Sequence, residues 1–203
     1  MKKLMLFILL LLNAISVSAV EYDEGIDYKL VGTSLAAPGN KIEVLEFFWY
    51  GCPHCYTFEP YIQSWKKSKP VNVKFVRVPA IFRPDWEVQA RVYYALSNMG
   101  IIEEHHEKIF NEIHNNKKHL DKKEVIVRFL EKNGVDSKKL LKEYNSFAVD
   151  GMVRKSIRKQ SAYQIEGVPA IIINGKYLVT GSMAGSYENM IKIINYLIAE
   201  ESN

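Results

Sequence analysis

Cys52 and Cys55 are the only two cysteines in this chain of 203 residues, and only Pro53 and His54 stand between them. A chain of this length can bury a core without disulfide staples, so both thiols are free for chemistry. The pair follows an apolar run and opens a predicted helix, where unpaired backbone amides and the helix dipole lower the pKa of the first thiol. His54 can add a hydrogen bond or a positive charge. A stabilised thiolate makes the disulfide a stronger oxidant, so the motif indicates electron-accepting redox chemistry.

Two other uses of the cysteine pair are a structural disulfide and a zinc site. A bridge across so short a loop would stabilise the fold little. Zinc sites commonly need four ligands, and the chain supplies only one cysteine pair. Three of the remaining histidines fall in a stretch rich in Glu and Lys, where we expect them to be solvated. We therefore predict neither a metal nor a cofactor; the histidines considered are His105, His106, His114 and His119.

Glu46 is the only charged residue in the apolar run 44–50, and it precedes Cys52 by six residues. A carboxylate in a buried strand is costly unless it has a partner or a protonation role. The alternative is that this strand position faces solvent.

The N-terminal segment has the pattern of a signal peptide. Two lysines precede an unbroken apolar run at 4–12, and Val17-Ser18-Ala19 offers small or compact residues for cleavage. The run is much shorter than the roughly 20 residues that span a bilayer. We therefore predict cleavage after Ala19 and export of the mature chain.

The elements that must position the cysteines form a strand, a helix and a second strand. Residues 41–50 are almost continuously apolar, as in a strand buried on both faces. A helix follows from the cysteines to about residue 67, and residues 71–78 alternate as a strand does. This order predicts a parallel crossover unit.

The rest of the chain divides into a helical stretch and a second sheet-forming part. Residues 84–164 contain few helix breakers, and Asp121 with Glu124 predicts a capping box, while Asp136 or Ser137 begins a later helix. Beyond it, Asn174-Gly175 predicts a hairpin between strands 170–173 and 176–180, and residues 187–199 a last helix. We divide the chain into a signal peptide (1–19), a first sheet half (20–82), a helical insertion (83–165) and a second sheet half (166–203).

Composition and charge favour a globular, exported protein. The chain is 48% hydrophobic and 25% charged, which excludes a disordered or collagen-like chain. Residues 108–159 hold 14 Lys and Arg against 7 Asp and Glu. Because these lysines alternate with apolar positions at helical spacing, we interpret them as a solvated helix face and predict no nucleic-acid binding.

Several short motifs resemble the DsbA family of exported thiol:disulfide oxidoreductases. They are spread over most of the predicted mature chain. The matching segments are LEFF at 45–48, CPHCY at 52–56, GVPA at 167–170 and NGKY at 174–177. The resemblance implies an α/β, thioredoxin-like fold with an inserted all-helical domain.

The resemblance also implies roles for individual residues. Cys52 would be the exposed sulfur that a substrate thiolate attacks, and Cys55 its buried partner. Glu46 would accept the proton of the buried sulfur, with Arg77 as its basic partner. A cis peptide bond before the proline would place the preceding backbone beside the sulfurs to bind substrate; these residues are Val168 and Pro169.

The activity implied is donation of the Cys52–Cys55 disulfide to reduced, unfolded exported proteins in the periplasm. A membrane reoxidase of the DsbB type would restore the disulfide, and we expect a monomer. The alternatives are a reductase or isomerase on the same fold, or a metal-delivery module. A group of side chains would form an apolar apron around Cys52, consisting of Trp49, Tyr50, Tyr56 and Met183.

Overall fold

The apolar run before the cysteines forms a central strand of a mixed sheet. A computed structural model describes residues 21–31 and 41–202, so the predicted signal peptide lies outside the described residues. The observed strand is shorter at both ends than the predicted strand 41–50, and all seven of its residues are buried. The strands described are β1 (Lys29–Leu30), β2 (Ile42–Phe48), β3 (Val73–Pro79), β4 (Ala170–Ile173) and β5 (Tyr177–Thr180).

The strand order is β1-β5-β4-β2-β3. Strand β2 runs parallel to β3 and antiparallel to β4, so both of its edges are hydrogen-bonded. The register of the parallel pair places Glu46 directly beside Arg77. The predicted hairpin between β4 and β5 is confirmed, and Asn174 and Gly175 both have positive φ, 48° and 67°, as such a tight turn requires.

The helices follow the cysteines, fill the stretch between β3 and β4, and close the chain. Among the described residues, no helix is long and apolar enough to cross a membrane. A short 3₁₀ helix, Pro84–Trp86, precedes the second α-helix. The α-helices are α1 (Pro53–Ser68), α2 (Glu87–Asn98), α3 (Ile102–His114), α4 (Lys123–Lys132), α5 (Ser137–Tyr144), α6 (Phe147–Ala162), α7 (Gly181–Ala184) and α8 (Tyr187–Glu200).

Side chains of β2 alternate between two cores. Val44 packs with α1 and α8 on one face, while Leu45 and Phe47 pack with Tyr163 and Ile165 on the other. At its carboxyl end, the strand leads into a third core, which the helices between β3 and β4 complete. Both cysteines belong to this third core, together with Phe48, Tyr50, Leu96, Phe110 and Leu130.

The predicted capping box of α4 is wrong. The N-cap of α4 is Lys122, and no side chain caps the helix. Asp121 lies one residue too early, because the chain is still extended at Lys122. Asp136 does cap the next helix, since its carboxylate accepts hydrogen bonds from the amides of Lys138 and Lys139 at 3.0 Å.

The prediction that the histidines are solvated is wrong for His105 and His106. Both are buried, because they share the inward stripe of α3 with Ile109 and Phe110. His114, at the end of the same helix, is half-buried, and His119 in the following loop is exposed.

We expect Asp136→Ala to lower the free energy of unfolding by about 1 kcal/mol, because two helix amides lose their acceptor. Asp121→Ala, the matched control, should change it by less than about 0.5 kcal/mol. Urea unfolding of the two variants measures both values. Equal losses would contradict the assignment of the cap.

Candidate active site

The cysteine motif sits on a tight turn between β2 and α1. The amide of Cys52 donates to the carbonyl of Trp49 at 3.0 Å, and Cys52 is the N-cap of α1. Pro53 is exposed and occupies the first helical turn, where a missing N–H costs nothing. A Cβ on Gly51 would lie 2.2 Å from the Trp49 ring, so any side chain at this position would displace that ring.

The two sulfurs differ in their surroundings. Both cysteines are present as free thiols. Cys52 is 8% exposed and Cys55 is 1% exposed, so the expected exposure of Cys52 holds only relative to its partner. Cys52 is largely covered because the chain at Val168 lies against it: its Sγ lies 3.4 Å from the Val168 carbonyl oxygen, to which only the protonated thiol can donate. The Val168–Pro169 peptide bond is cis, which confirms that expectation.

A hydrogen bond from the Cys55 thiol is the largest influence that lowers the pKa of Cys52, to about 6. Burial opposes this shift, while the backbone amides of Cys55 and His54 and the charge of His54 add to it. Burial raises the pKa of Cys55 well above its usual value, and the neighbouring Cys52 sulfur raises it further. One sulfur therefore holds a negative charge at neutral pH, and the other holds a proton.

A cavity of about 870 Å³ opens beside the motif. It lies between the loop 164–169 and α7, with His54 and Met183 in its lining. His54 is exposed, and its Nδ1 lies 3.3 Å from the Tyr187 hydroxyl. The cavity therefore begins within reach of the motif and continues along the chain that carries Val168 and Pro169.

Glu46 is buried under the cysteines, so the solvent-facing alternative is wrong. It is 1% exposed, and its Oε2 accepts a hydrogen bond from Nε of Arg77 at 2.8 Å. Burial raises the pKa of Glu46 to about 7, against the opposing effect of Arg77. The expected pairing of Glu46 with Arg77 is confirmed.

A second buried carboxyl, Glu59, was missed by the sequence analysis. Its Oε1 accepts from Nη2 of Arg77 at 2.7 Å, so one guanidinium serves two acids. The signal was available, because Glu59 shares the buried stripe of α1 with Cys55 and Ile62, four residues after one and three before the other. An acid on such a stripe points to a buried partner.

The predicted apolar apron is only partly formed. Tyr50 is 1% exposed and belongs to the core, because its hydroxyl turns inward to Nδ1 of His106 at 2.8 Å. The half-buried aromatics pack against the core that contains both cysteines, and each of them stacks on another ring. Trp49 stacks on Trp86 with ring centroids 3.7 Å apart, and Tyr56 stacks on His114 at 4.9 Å.

Metal-ligating side chains do not cluster in residues 21–31 and 41–202. No three His, Cys, Asp or Glu side chains in these ranges are grouped so that they could hold an ion. Among the described residues, the chemical groups at the motif are therefore the two sulfurs and the buried acid pair.

Comparison with known proteins places these features in a family. The family model described as "DSBA-like thioredoxin domain" matches residues 43–186. The thiol:disulfide interchange protein DsbA of Pseudomonas aeruginosa is 41% identical over 192 residues, which are 94% of this chain and 90% of that protein. DsbA of Azotobacter vinelandii is 43% identical over 167 residues, 82% of this chain and 78% of the relative.

Solved structures that resemble this fold are also DsbA proteins. A crystal structure of Pseudomonas aeruginosa DsbA superposes with a TM-score of 0.85 at 41% identity, covering 89% of this chain and 95% of that one. The oxidoreductase DsbA from Xylella fastidiosa gives a TM-score of 0.82 at 28% identity, covering 89% of this chain and 98% of the other. The predicted thioredoxin-like fold with a helical insertion and the predicted thiol:disulfide oxidoreductase activity are confirmed. This chain belongs to the DsbA family of thiol:disulfide interchange proteins.

Proposed function

We propose that this protein is a dithiol oxidase that donates the Cys52–Cys55 disulfide to reduced, unfolded exported proteins. The observation that carries the proposal is the contrast between the two sulfurs. Because the pKa of Cys52 is about 6, the released sulfur is a stable thiolate at neutral pH. That stability favours the reduced dithiol, and therefore drives electrons from substrate thiols into the protein.

The exchange proceeds in two balanced steps. A substrate thiolate attacks Sγ of Cys52; a mixed disulfide forms, the Cys52–Cys55 bond breaks, and the sulfur of Cys55 leaves and takes up a proton. A second substrate thiolate then attacks the substrate sulfur of the mixed disulfide and releases Cys52 as a thiolate. The substrate loses two electrons, and the cysteine pair gains them.

We assign to Glu46 the exchange of that proton with Cys55. A carboxyl with a pKa of about 7 can give or take a proton at neutral pH, which suits an acid–base group. The charge of Glu46 also raises the pKa of Cys55, so the two groups interact. Buried Cys55 would otherwise have to leave as an unsolvated thiolate.

We assign substrate binding to the backbone at Val168 and Pro169. The Val168 carbonyl already lies 3.4 Å from Sγ of Cys52, and an extended substrate chain in the cavity can pair with the backbone of Val168, which is half-buried and lines it. Pro53 keeps the helix start rigid, and His54 borders both the sulfur and the cavity. An unfolded chain would lie in the cavity with its cysteine over the motif.

We further propose a periplasmic location, a monomer and reoxidation by a DsbB-type membrane protein. The apolar segment 4–12 after two lysines supports export with cleavage after Ala19. We retain 20–82, 83–165 and 166–203 as the proposed boundaries of the two sheet halves and the helical insertion.

The redox equilibrium with glutathione separates this oxidase from the reductase, isomerase and metal-delivery alternatives. We expect purified protein to be almost fully reduced in buffers that leave ordinary structural disulfides intact, and its oxidised form to introduce disulfides into a reduced, unfolded protein. A strongly reducing couple or stoichiometric bound metal would reject the proposal.

We expect the Cys52 thiolate to titrate at about pH 6, measured by its ultraviolet absorbance. Cys55→Ala removes the S–H donor and should raise this midpoint by about one unit, whereas Cys55→Ser keeps a donor and should raise it less. An unchanged midpoint in Cys55→Ala would show that the helix start alone stabilises the thiolate.

We expect Glu46→Gln to slow substrate oxidation at pH 6 about tenfold or more, since Cys55 loses its proton donor. After correction for titration of the substrate thiol, the wild-type rate should fall as pH rises through about 7, where Glu46 loses its proton, and the variant should lack this step. Glu43→Gln is the matched control, because Glu43 is buried on the same strand but pairs with Lys74 and Lys159. Equal rates for Glu46→Gln and wild type would remove Glu46 from the mechanism.

A further inference from the structure

His106 is a buried titratable group that the exchange reaction has not used. It lies on α3, is 1% exposed, and packs among four aromatic rings at centroid distances of 5.1–6.1 Å. Its Nδ1 lies 2.8 Å from the Tyr50 hydroxyl. Its Nε2 faces Oε2 of Glu59 at 3.4 Å and, among the described residues, has no partner in hydrogen-bond geometry. The imidazole therefore connects the aromatic core to the buried acid pair.

The His106 ring is neutral in this environment. Burial lowers its pKa well below the usual value, and the charge of Arg77 lowers it further. A neutral imidazole carries one proton, on either Nδ1 or Nε2. With the proton on Nε2, the ring donates toward Glu59 while Nδ1 accepts from Tyr50. With the proton on Nδ1, a bare nitrogen lone pair faces Oε2 of Glu59, which is tolerable only if Glu59 is protonated.

The acid pair has one positive partner for two carboxyls. Arg77 donates to both Glu46 and Glu59, and burial raises the pKa of each acid. Two carboxylates against one guanidinium would leave a net negative charge away from water, so the cluster favours holding one extra proton. A further hydrogen bond to one of the two carboxylates stabilises its charge, so the extra proton then resides on the other acid.

Neighbouring charged and polar groups also shift the pKa values of the two acids. Lys66 lowers the pKa of both acids, and Gln63 lowers that of Glu59 through its 2.8 Å hydrogen bond. Glu103, ion-paired with Lys66 at 2.5 Å, raises the pKa of Glu59. Tyr50, Tyr93 and Cys55 are further titratable groups that interact with the cluster.

We propose that His106 is a positioning residue of the redox reaction, which donates Nε2–H to Glu59 and thereby leaves the exchangeable proton on Glu46. This inference rests on the proposed role of Glu46. The proton then lies on the carboxyl that interacts with Cys55, and Glu59 remains the permanent counter-charge of Arg77. Tyr50 fixes the tautomer by donating its hydroxyl proton to Nδ1.

Nitrogen NMR of the full-length mature protein tests the tautomer directly. We expect ¹⁵N shifts of His106 to report a proton on Nε2 and an unprotonated Nδ1 at pH 7. A proton on Nδ1 would overturn the inference without bearing on the oxidase activity itself.

Kinetics of two His106 variants test the consequence for Glu46. His106→Leu removes the donor, so Glu59 should take up the proton and Glu46 should become the carboxylate paired with Arg77. The rate step near pH 7 should then move down by about one unit, which corresponds to about fivefold slower oxidation at pH 7. His106→Gln retains an N–H at the position of Nε2 and should keep the step near its wild-type pH.

His105→Leu is the matched control for a merely structural effect. His105 is also buried on α3, but burial, Lys108 and Glu104 shift its pKa, and neither acid of the pair is among these influences. We expect its pH profile to match that of wild type, and we expect Glu46→Gln combined with His106→Leu to be no slower than Glu46→Gln alone. An unshifted profile in His106→Leu, or an additive loss in the double variant, would overturn the inference. If wild type lacks the step near pH 7, the assigned role of Glu46 fails instead.

Discussion

One guanidinium shared by two buried carboxyls is the constraint on which the site depends. Arg77 must be charged, because it is enclosed with Glu46 and Glu59 and bonds both. Breaking such a cluster by removing one partner leaves a buried charge uncompensated, which is far more costly than losing an exposed ion pair. The cluster therefore links three elements, because Glu46 lies on β2, Arg77 on β3 and Glu59 on α1. A change in the register of β2 and β3 would separate Glu46 from Arg77.

The difference between the two sulfurs arises from their positions one helical turn apart. Cys52 is the N-cap and receives donors, while Cys55 lies on the inward stripe of α1 and supplies one. The same turn thus creates a stable anion at the rim and a proton-holding thiol in the interior. The acid pair Glu46 and Glu59 likewise holds charge and a proton in the core, where little water is available to stabilise them.

Much of the fold follows from local patterns in the sequence. The apolar run of β2, the Asn174-Gly175 turn and the cysteine motif at a helix start all depend on neighbours within a few residues. Glu59 was not found and His106 was wrongly expected in solvent, because their burial depends on how α1 and α3 pack. Asp121 failed as a cap for a related reason: its spacing from Glu124 is suitable, but the helix begins one residue later.

The placement of Cys52 and Cys55 in a core that the helical insertion completes has a thermodynamic consequence. Folding and disulfide formation form a closed cycle, so any difference in stability between the oxidised and reduced forms must appear equally in the redox equilibrium. Leu96 and Leu130 belong to that core and are fully buried. Packing changes at such positions can therefore change the reduction potential of the cysteine pair from a distance. The helical insertion thus contributes to the relative stability of the oxidised and reduced forms.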